Sequence, residues 1–260
     1  MENSPYPILE YDPSREAILE PSKLVPPSGI PPAVILCFFQ DEIHKLLLDG
    51  KIHQIDYIHS EMGDHPIYDL EFNGRHLSLA HPGVGAPLSV GMLEEVIAKG
   101  GRYFIACGGA GVLDREIAVG HLMVPTSAVR DEGTSYHYLA PSREVEASLR
   151  GVTAIQRTLE HHKVAYLLTK TWTTDAFYRE TNERTVRRKA EGCLSVEMEA
   201  AAFFAVAKFR GVDFAQILYG GDAVIPGEWD GREWNRQSVR EQMIWLSAEA
   251  CLELSDGLDE

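Results

Sequence analysis

The sequence predicts one α/β domain, a mixed central β-sheet flanked by helices. Three observations carry that expectation. Short runs rich in β-branched and aromatic residues alternate with helix-spaced segments from residue 33 onward. One pair of such runs brackets Asn73-Gly74, a hairpin dipeptide, so some pairing is antiparallel. The chain has 260 residues, 45% apolar and 24% charged, an ordinary composition for a protein with a sizeable core.

Residues 1–32 hold 8 of the 14 prolines. That density excludes regular helix or a central strand. It predicts an extended arm, lying over the domain at 33–260 or over a neighbouring subunit. "AVILCFF" at 33–39 reads as a buried strand. "QDEIHKLLLDG" follows with helical spacing at Ile43, Leu46 and Leu47 and a stop at Gly50. "HPIYDLEFNGRHLSLAHPG" is the hairpin. "PLSVGMLEEVIAKGG" is a helix that starts at a proline and stops at Gly100. "RYFIAC" is a strand ending in the cluster Gly108, Gly109 and Gly111. "AVGHLMVPTSAV" is strand-like, and "DEGTSYHYL" a turn. Residues 143–162 read as helix, "AYLLTKTWTT" as strand and "NERTVRRKAEG" as an exposed charged helix. A further helix spans about residues 197–209, with Lys208 and Arg210 suiting its dipole and Gly211 stopping it. "DFAQILYGGD" is a strand running into Asp222, and "RQSVREQMIWLSAEACLEL" is the last helix. No internal repeat or low-complexity tract interrupts this order.

Composition narrows the function classes. Net charge is −15, from 39 acids and 24 bases. Nucleic-acid binding needs clustered bases to displace counterions, so no such partner is expected. A local site for a small anion stays open. The four cysteines, Cys37, Cys107, Cys193 and Cys251, form no CxxC pair. They read as buried free thiols of a reducing cytosol, with neither disulfides nor a metal. The start of the sequence has no signal-peptide pattern and no apolar run is long enough for a bilayer. A cytoplasmic protein with no membrane partner is expected.

Several motifs bear on chemistry. "CGGAGVL" follows a strand but lacks GxGxxG spacing, GK[ST] and a following helix, so it predicts a tight turn rather than a dinucleotide or P-loop. "HPGVGAP" joins strand to helix and offers backbone N–H groups to an anion, though a plain turn accounts for it too. GxSxG, HExxH and CxxC are all absent. His161-His162 reads as a solvated face. His81 and His137 sit in loops near the glycine turns. Asp222 ends an apolar strand, where sites form in α/β sheets, and a turn or cap aspartate fits the same position. Glu197 and Glu199 open a run, "CLSVEMEAAAFFAVAKFRG", that is apolar on every face until Lys208. A helix apolar all round is buried, and a carboxylate at its entrance must be paired, hydrogen-bonded or used.

"SVEMEAAAFFAVA" resembles the V-E-M-E-x-A-A helix of the nucleoside phosphorylase family. That family includes uridine phosphorylase, purine nucleoside phosphorylase and methylthioadenosine/S-adenosylhomocysteine nucleosidase. "GAGVLDREIAVGHLMVPTSAVRDEGTSYHYL", "TTDAFYRE" and "GGDAV" resemble further family segments, so the likeness covers nearly the whole chain. Its loop segments are most similar to uridine phosphorylase. The resemblance implies a nucleoside phosphorylase-like fold and cleavage of a nucleoside N-glycosidic bond, whose transition state is cationic at the sugar and anionic at the leaving base. It implies that Glu199 grips the ribose hydroxyls, Met198 packs under the sugar and Glu197 supports them. It implies that Phe177 stacks on the base and Asp222 serves as its general acid. It implies a small-molecule nucleoside as partner and a homo-oligomer, a dimer or trimer of dimers. No cofactor is implied beyond phosphate as co-substrate.

The departures lie where the family holds phosphate. Its arginine and hydroxyl positions near the glycine cluster read Ala106 and Gly109 here, and "HSEMG" carries no arginine in place of the neighbouring subunit's. Arg130, His81 and His137 are the remaining candidates for that role, and Gly109 stays a substrate-binding candidate. In the family's nucleosidases an acid in the early region orients water, and "QDEI" places Glu42 there. Thr181 and Glu183 replace the residues that read uracil, and Asp222 is of purine type. Three readings follow: a nucleoside phosphorylase, a nucleoside hydrolase using Glu42, and a silent nucleoside-binding relative.

Overall fold

A computed structural model gives the fold and describes residues 4–232 and 237–257. Arg236, which heads the expected last helix, and both extreme ends of the chain lie outside the described residues. In chain order the elements are α1 (Pro21–Leu24), β1 (Ala33–Cys37), α2 (Gln40–Leu48), β2 (Ile52–Ser60), β3 (Gly63–Phe72) and β4 (Arg75–Ala80). There follow α3 (Ala86–Lys99), β5 (Tyr103–Val112), β6 (Leu122–Asp131), β7 (Glu144–Glu146), α4 (Leu149–His161) and β8 (Tyr166–Thr174). The chain continues through α5 (Asn182–Ala190), β9 (Cys193–Glu197), α6 (Ala200–Arg210), β10 (Asp213–Ile225), β11 (Glu228–Asp230) and α7 (Gln237–Asp256).

The strands form one mixed sheet in the order β11-β10-β6-β8-β9-β5-β1-β4-β3-β2, with β7 beside β6. β10 pairs with both β6 and β5, so the strands β10-β6-β8-β9-β5 close on themselves. From this ring β1, β4, β3 and β2 extend as a twisted wing. Strand periodicity divides the core. Ala33, Ile35 and Cys37 of β1 pack with residues of α2, α4 and α7. Val34 and Leu36 face the other way, among residues of α3 and α6. α6 is buried on every face from Ala200 to Ala207. Its alanines let Phe203 approach Phe214 of β10 to 4.7 Å between ring centres.

The hairpin turns at Asn73 and Gly74, both at positive φ, as Asn-Gly predicts. Gly211 ends α6 in the left-handed conformation. The four cysteines are free and buried. His161 and His162 each bond Glu249 on the α4–α7 surface. Among the described residues no helix is long and apolar enough to cross a membrane. Glu20, in the proline-rich segment, receives Arg210 at 2.7 Å, and Ser28 N–H reaches Lys99 O at 3.3 Å.

Four local expectations are corrected, and one strand, β2, was not expected. The proline-rich segment, expected to exclude helix, forms the one-turn α1 with Pro21 in its first turn, where proline's missing N–H costs nothing. The glycine cluster is no turn, because β5 runs through it to Val112. Residues 144–146 are strand rather than helix, since β6 offers them an edge. β2 carries no sequence signal because it is an edge strand with most of its side chains outside the core. Glu197 closes β9 instead of opening α6, which begins at Ala200.

Candidate active site

β5 changes neighbour partway along. Its first half pairs with β1 up to Cys37↔Cys107, and its far end pairs with β9 from Gly111↔Val196. Between them Gly108–Ala110 have lost β1 and not yet gained β9. Such a switch leaves a crevice at the strand ends. A cavity of about 1030 Å³ opens there, lined by Phe38, Phe39, Gly109, Met198 and Asp222 among others.

The glycines matter because the walls come close. A Cβ at Gly109 would sit 3.1 Å from the Tyr219 ring, and one at Gly111 3.0 Å from Val196 and Val224. Side chains from β10 and β9 therefore fill the space over the β5 backbone.

The two glutamates of the β9–α6 junction have separate tasks. Glu197 accepts from Thr173 Oγ1 at 2.6 Å with one oxygen. Its other oxygen accepts the N–H groups of Glu199 at 2.7 Å and Ala200 at 2.6 Å. It thereby caps α6 from the preceding strand and fixes the residues between. Glu199, also buried, turns its carboxyl to Gly85 N–H at 2.6 Å, in the loop between β4 and α3. Burial and the charge of Glu197 push the Glu199 carboxyl well above the ordinary carboxylate range. Among the described residues no cation pairs with it, so hydroxyl donors or a positive charge brought beside it would be stabilised. Met198, held between the two acids, lines the cavity.

Asp222 lies on the same cavity and accepts from Trp229 Nε1 at 2.7 Å. Glu180 also lines it, and burial together with the Asp222 charge pushes its carboxyl up to about 7. Phe177 and Tyr178 stand at the rim, ring centres 4.1 Å apart, with Phe177 half exposed. Gly227 N–H donates to Asn182 Oδ1 at 2.7 Å, tying the rim segments together.

The structure thus gathers Gly109, Phe177, Glu197, Met198 and Asp222 on one cavity, with Glu199 one residue behind Met198. It places four other candidates elsewhere. Arg130, near the end of β6, is buried against the loop that follows. It donates to Ser135 Oγ, Ala140 O, Ser142 Oγ and Leu139 O at 2.7–3.1 Å and lies over the Tyr136 ring. That cation pins the loop and is not among the cavity-lining residues. His137 is exposed and also off the lining. His81 touches the lining residue Phe38 edge-on, but burial lowers its pKa, so its ring is neutral at pH 7. Its Nδ1 accepts from Gly83 N–H at 3.0 Å. Glu42 is buried in the first turn of α2, 3.6 Å from Lys45 Nζ, and does not line the cavity.

Sequence reading missed Glu180, Trp229, Tyr219 and Arg240, all on the lining. Glu180 stands inside the quoted "TTDAFYRE" segment, so its position carried a signal. Trp229 arrives on the short β10–β11 hairpin, and Tyr219 and Arg240 meet their neighbours there through long-range packing.

Residues 32–254 match the Phosphorylase superfamily. Guanosine phosphorylase of Halorubrum lacusprofundi is 25% identical over 209 residues, covering 73% of this chain and 87% of that protein. A DeoD-type purine nucleoside phosphorylase of Exiguobacterium is 26% identical over 194 residues, 71% of this chain and 78% of its own length. Among solved structures, uridine phosphorylase from Vibrio fischeri superposes with a TM-score of 0.70 at 24% identity, covering 90% of this chain and 95% of that one. AMP nucleosidase from Bacteroides thetaiotaomicron does so with 0.69 at 19%, covering 87% and 90%. With the match spanning nearly the whole chain and the fold in agreement, the chain belongs to the phosphorylase superfamily.

Proposed function

We propose that the protein is a nucleoside phosphorylase that cleaves the N-glycosidic bond of a purine nucleoside to free base and pentose 1-phosphate. The observation that carries this reading is one cavity shared by Met198, Phe177 and Asp222, with Glu199 buried behind it. These residues come from three separate chain segments, Met198 and Glu199 sharing one, and each has a place in the reaction.

Glu199 takes the ribose hydroxyls. Its ionised form, disfavoured by burial, gains most as positive charge grows on the sugar. Met198 packs under the sugar, and Glu197 holds both in place through Thr173 and the start of α6. Phe177 stacks on the base. Asp222, steadied by Trp229, passes a proton to the departing base. Glu180 supplies a second carboxyl near Asp222, an acceptor for the ring N–H or amino groups that purines carry. The purine-type curated relatives support this base class. Hydrolysis through Glu42 is the weaker reading, since Glu42 is off the cavity.

A panel of nucleosides, assayed with and without phosphate and resolved by chromatography, tests the proposal. Purine base and pentose 1-phosphate are expected only when phosphate is present. Equal turnover without phosphate would identify a hydrolase. No turnover on any nucleoside would identify a silent binder.

A further inference from the structure

The cavity is acidic over much of its wall. Asp222, Glu180, Glu197 and Glu228 line it, and Arg240 is the one basic side chain among its described lining residues. Arg240 comes from α7, far along the chain from the glycine strand. Its guanidinium lies 5.0 Å over the Phe39 ring, at the end of β1, and its Nε reaches Tyr219 Oη at 3.4 Å. Tyr219 pairs in register with Gly109, and its hydroxyl lies 3.2 Å from where a Gly109 Cβ would stand. Arg240, Tyr219 and the bare backbone at Gly109 therefore meet at one end of the cavity.

The acid end is offset along the same strand. Asp222 approaches Gly111, two residues beyond Gly109, which is about 7 Å at strand rise. A pentose ring fits that interval. Arg240 is also held reversibly. Its Nη1 bonds both oxygens of Asp41 at 2.8 and 2.6 Å, but Asp41 is 60% exposed and can turn into solvent. Its Nη2 makes no hydrogen bond among the described residues.

We propose that Arg240, the Tyr219 hydroxyl and the backbone at Gly109 form a subsite for a phosphate group, with Asp41 as the resting partner that phosphate displaces. A guanidinium matches phosphate oxygens with paired charge-assisted bonds, and a dianion outcompetes one exposed carboxylate. The subsite deepens the phosphorylase reading and rests on it for the source of the group, inorganic phosphate.

Steady-state kinetics on the full chain tests it through opposite signs. Arg240→Gln is expected to raise the KM for phosphate at least tenfold while the nucleoside KM moves less than threefold. Asp41→Asn removes the competitor and is expected to lower the phosphate KM about threefold. Arg240→Lys, which keeps charge without the fork, falls between wild type and Arg240→Gln. Melting temperatures exclude misfolding, and the sign of Asp41→Asn stands apart from any general damage. Unchanged phosphate KM in folded Arg240→Gln overturns the subsite, unless a parallel arm with a purine nucleoside 5′-monophosphate shows the loss. In that case the site stands, and the phosphate belongs to the substrate. If wild type turns over without phosphate dependence, the phosphorylase reading fails by itself. Calorimetry with inorganic phosphate then judges the subsite alone: binding that Arg240→Gln abolishes supports it, and absent or unaltered binding overturns it.

Discussion

Two walls of one cavity are built in contrasting ways. The β9–α6 wall is local. Within a few residues Glu197 bonds a strand hydroxyl and two backbone N–H groups, and Met198 and Glu199 follow in fixed positions. The wall around Gly109 is assembled from afar. Phe39, Tyr219 and Arg240 arrive from β1's end, β10 and α7. The local wall holds its acids rigidly and tolerates little change. The distant wall holds its cation against the Phe39 ring and the Tyr219 hydroxyl and pairs its charge with one exposed carboxylate, which can exchange for another anion. Chemistry that needs fixed charge suits the first, and a co-substrate that comes and goes suits the second.

The contrast breaks first at Glu199. Glu199→Gln is expected to lower kcat/KM by about 10³-fold, the scale for removing one preorganised electrostatic group. It should also stabilise the empty protein at alkaline pH. The folded state raises the Glu199 pKa above its unfolded value, so it binds the proton more tightly than the unfolded chain. Stability from that group is complete below the ordinary carboxylate range and is lost as pH rises toward the raised pKa. Melting curves from pH 5 to 8 should fall for wild type and fall less for Glu199→Gln. Near-wild-type turnover in a folded variant would remove Glu199 from the sugar.

Asp222→Asn comes next, with an expected loss of about 10²-fold in kcat/KM. That is the lower end for a positioned acid, because asparagine still bonds the base without giving up a proton. Nucleosides whose base is already a good leaving group should lose much less. An equal loss across a leaving-group series would assign Asp222 to binding alone.

The same contrast explains what was legible in the sequence. Alternation of strands with helices, Asn73-Gly74 and the stops at Gly50, Gly100 and Gly211 are nearest-neighbour effects, and the structure reproduces them. The "SVEMEAAA" run exposed Glu197, Met198 and Glu199 together because one short segment holds all three. Its boundary was missed: two acids before an apolar run fit a helix start, yet Glu197 pairs in the sheet through Thr173 and caps the helix from outside. Gly109 read as a turn because nothing local announces that Tyr219, 110 residues later, fills the space over it. Arg240 was invisible for the same reason. Arg130 misled in the opposite sense, since a lone arginine beside a loop gives no sign that the loop consumes it.

Glu180 sharpens the comparison at the base end. Its carboxyl, pushed up to about 7 by burial and by Asp222, changes charge across the working range. As an acceptor for base N–H groups it works best ionised, so kcat/KM should rise with pH through about 7. Glu180→Gln should flatten that limb and cost less than about tenfold at pH 8. A limb that falls through pH 7 and vanishes in the variant would make Glu180 a donor instead.

Glu42 gives the smallest expected effect and the cleanest division between the two nucleophiles. It belongs to neither wall. Its carboxyl is buried in the first turn of α2, one oxygen lacks a hydrogen bond, and Lys45 stands at 3.6 Å. Lys45 does not depend on it, because the same ammonium reaches Glu241 at 2.7 Å. Glu42→Gln keeps the volume and removes a poorly satisfied charge, so the melting temperature should hardly move. Phosphate-dependent turnover should stay within twofold of wild type, since no group on the cavity loses a partner. Loss of turnover would show that α2 moves Glu42 onto the substrate during the reaction, which only a water-activating acid would require. Phosphorolysis needs no such acid, because phosphate brings its own negative oxygens to the sugar.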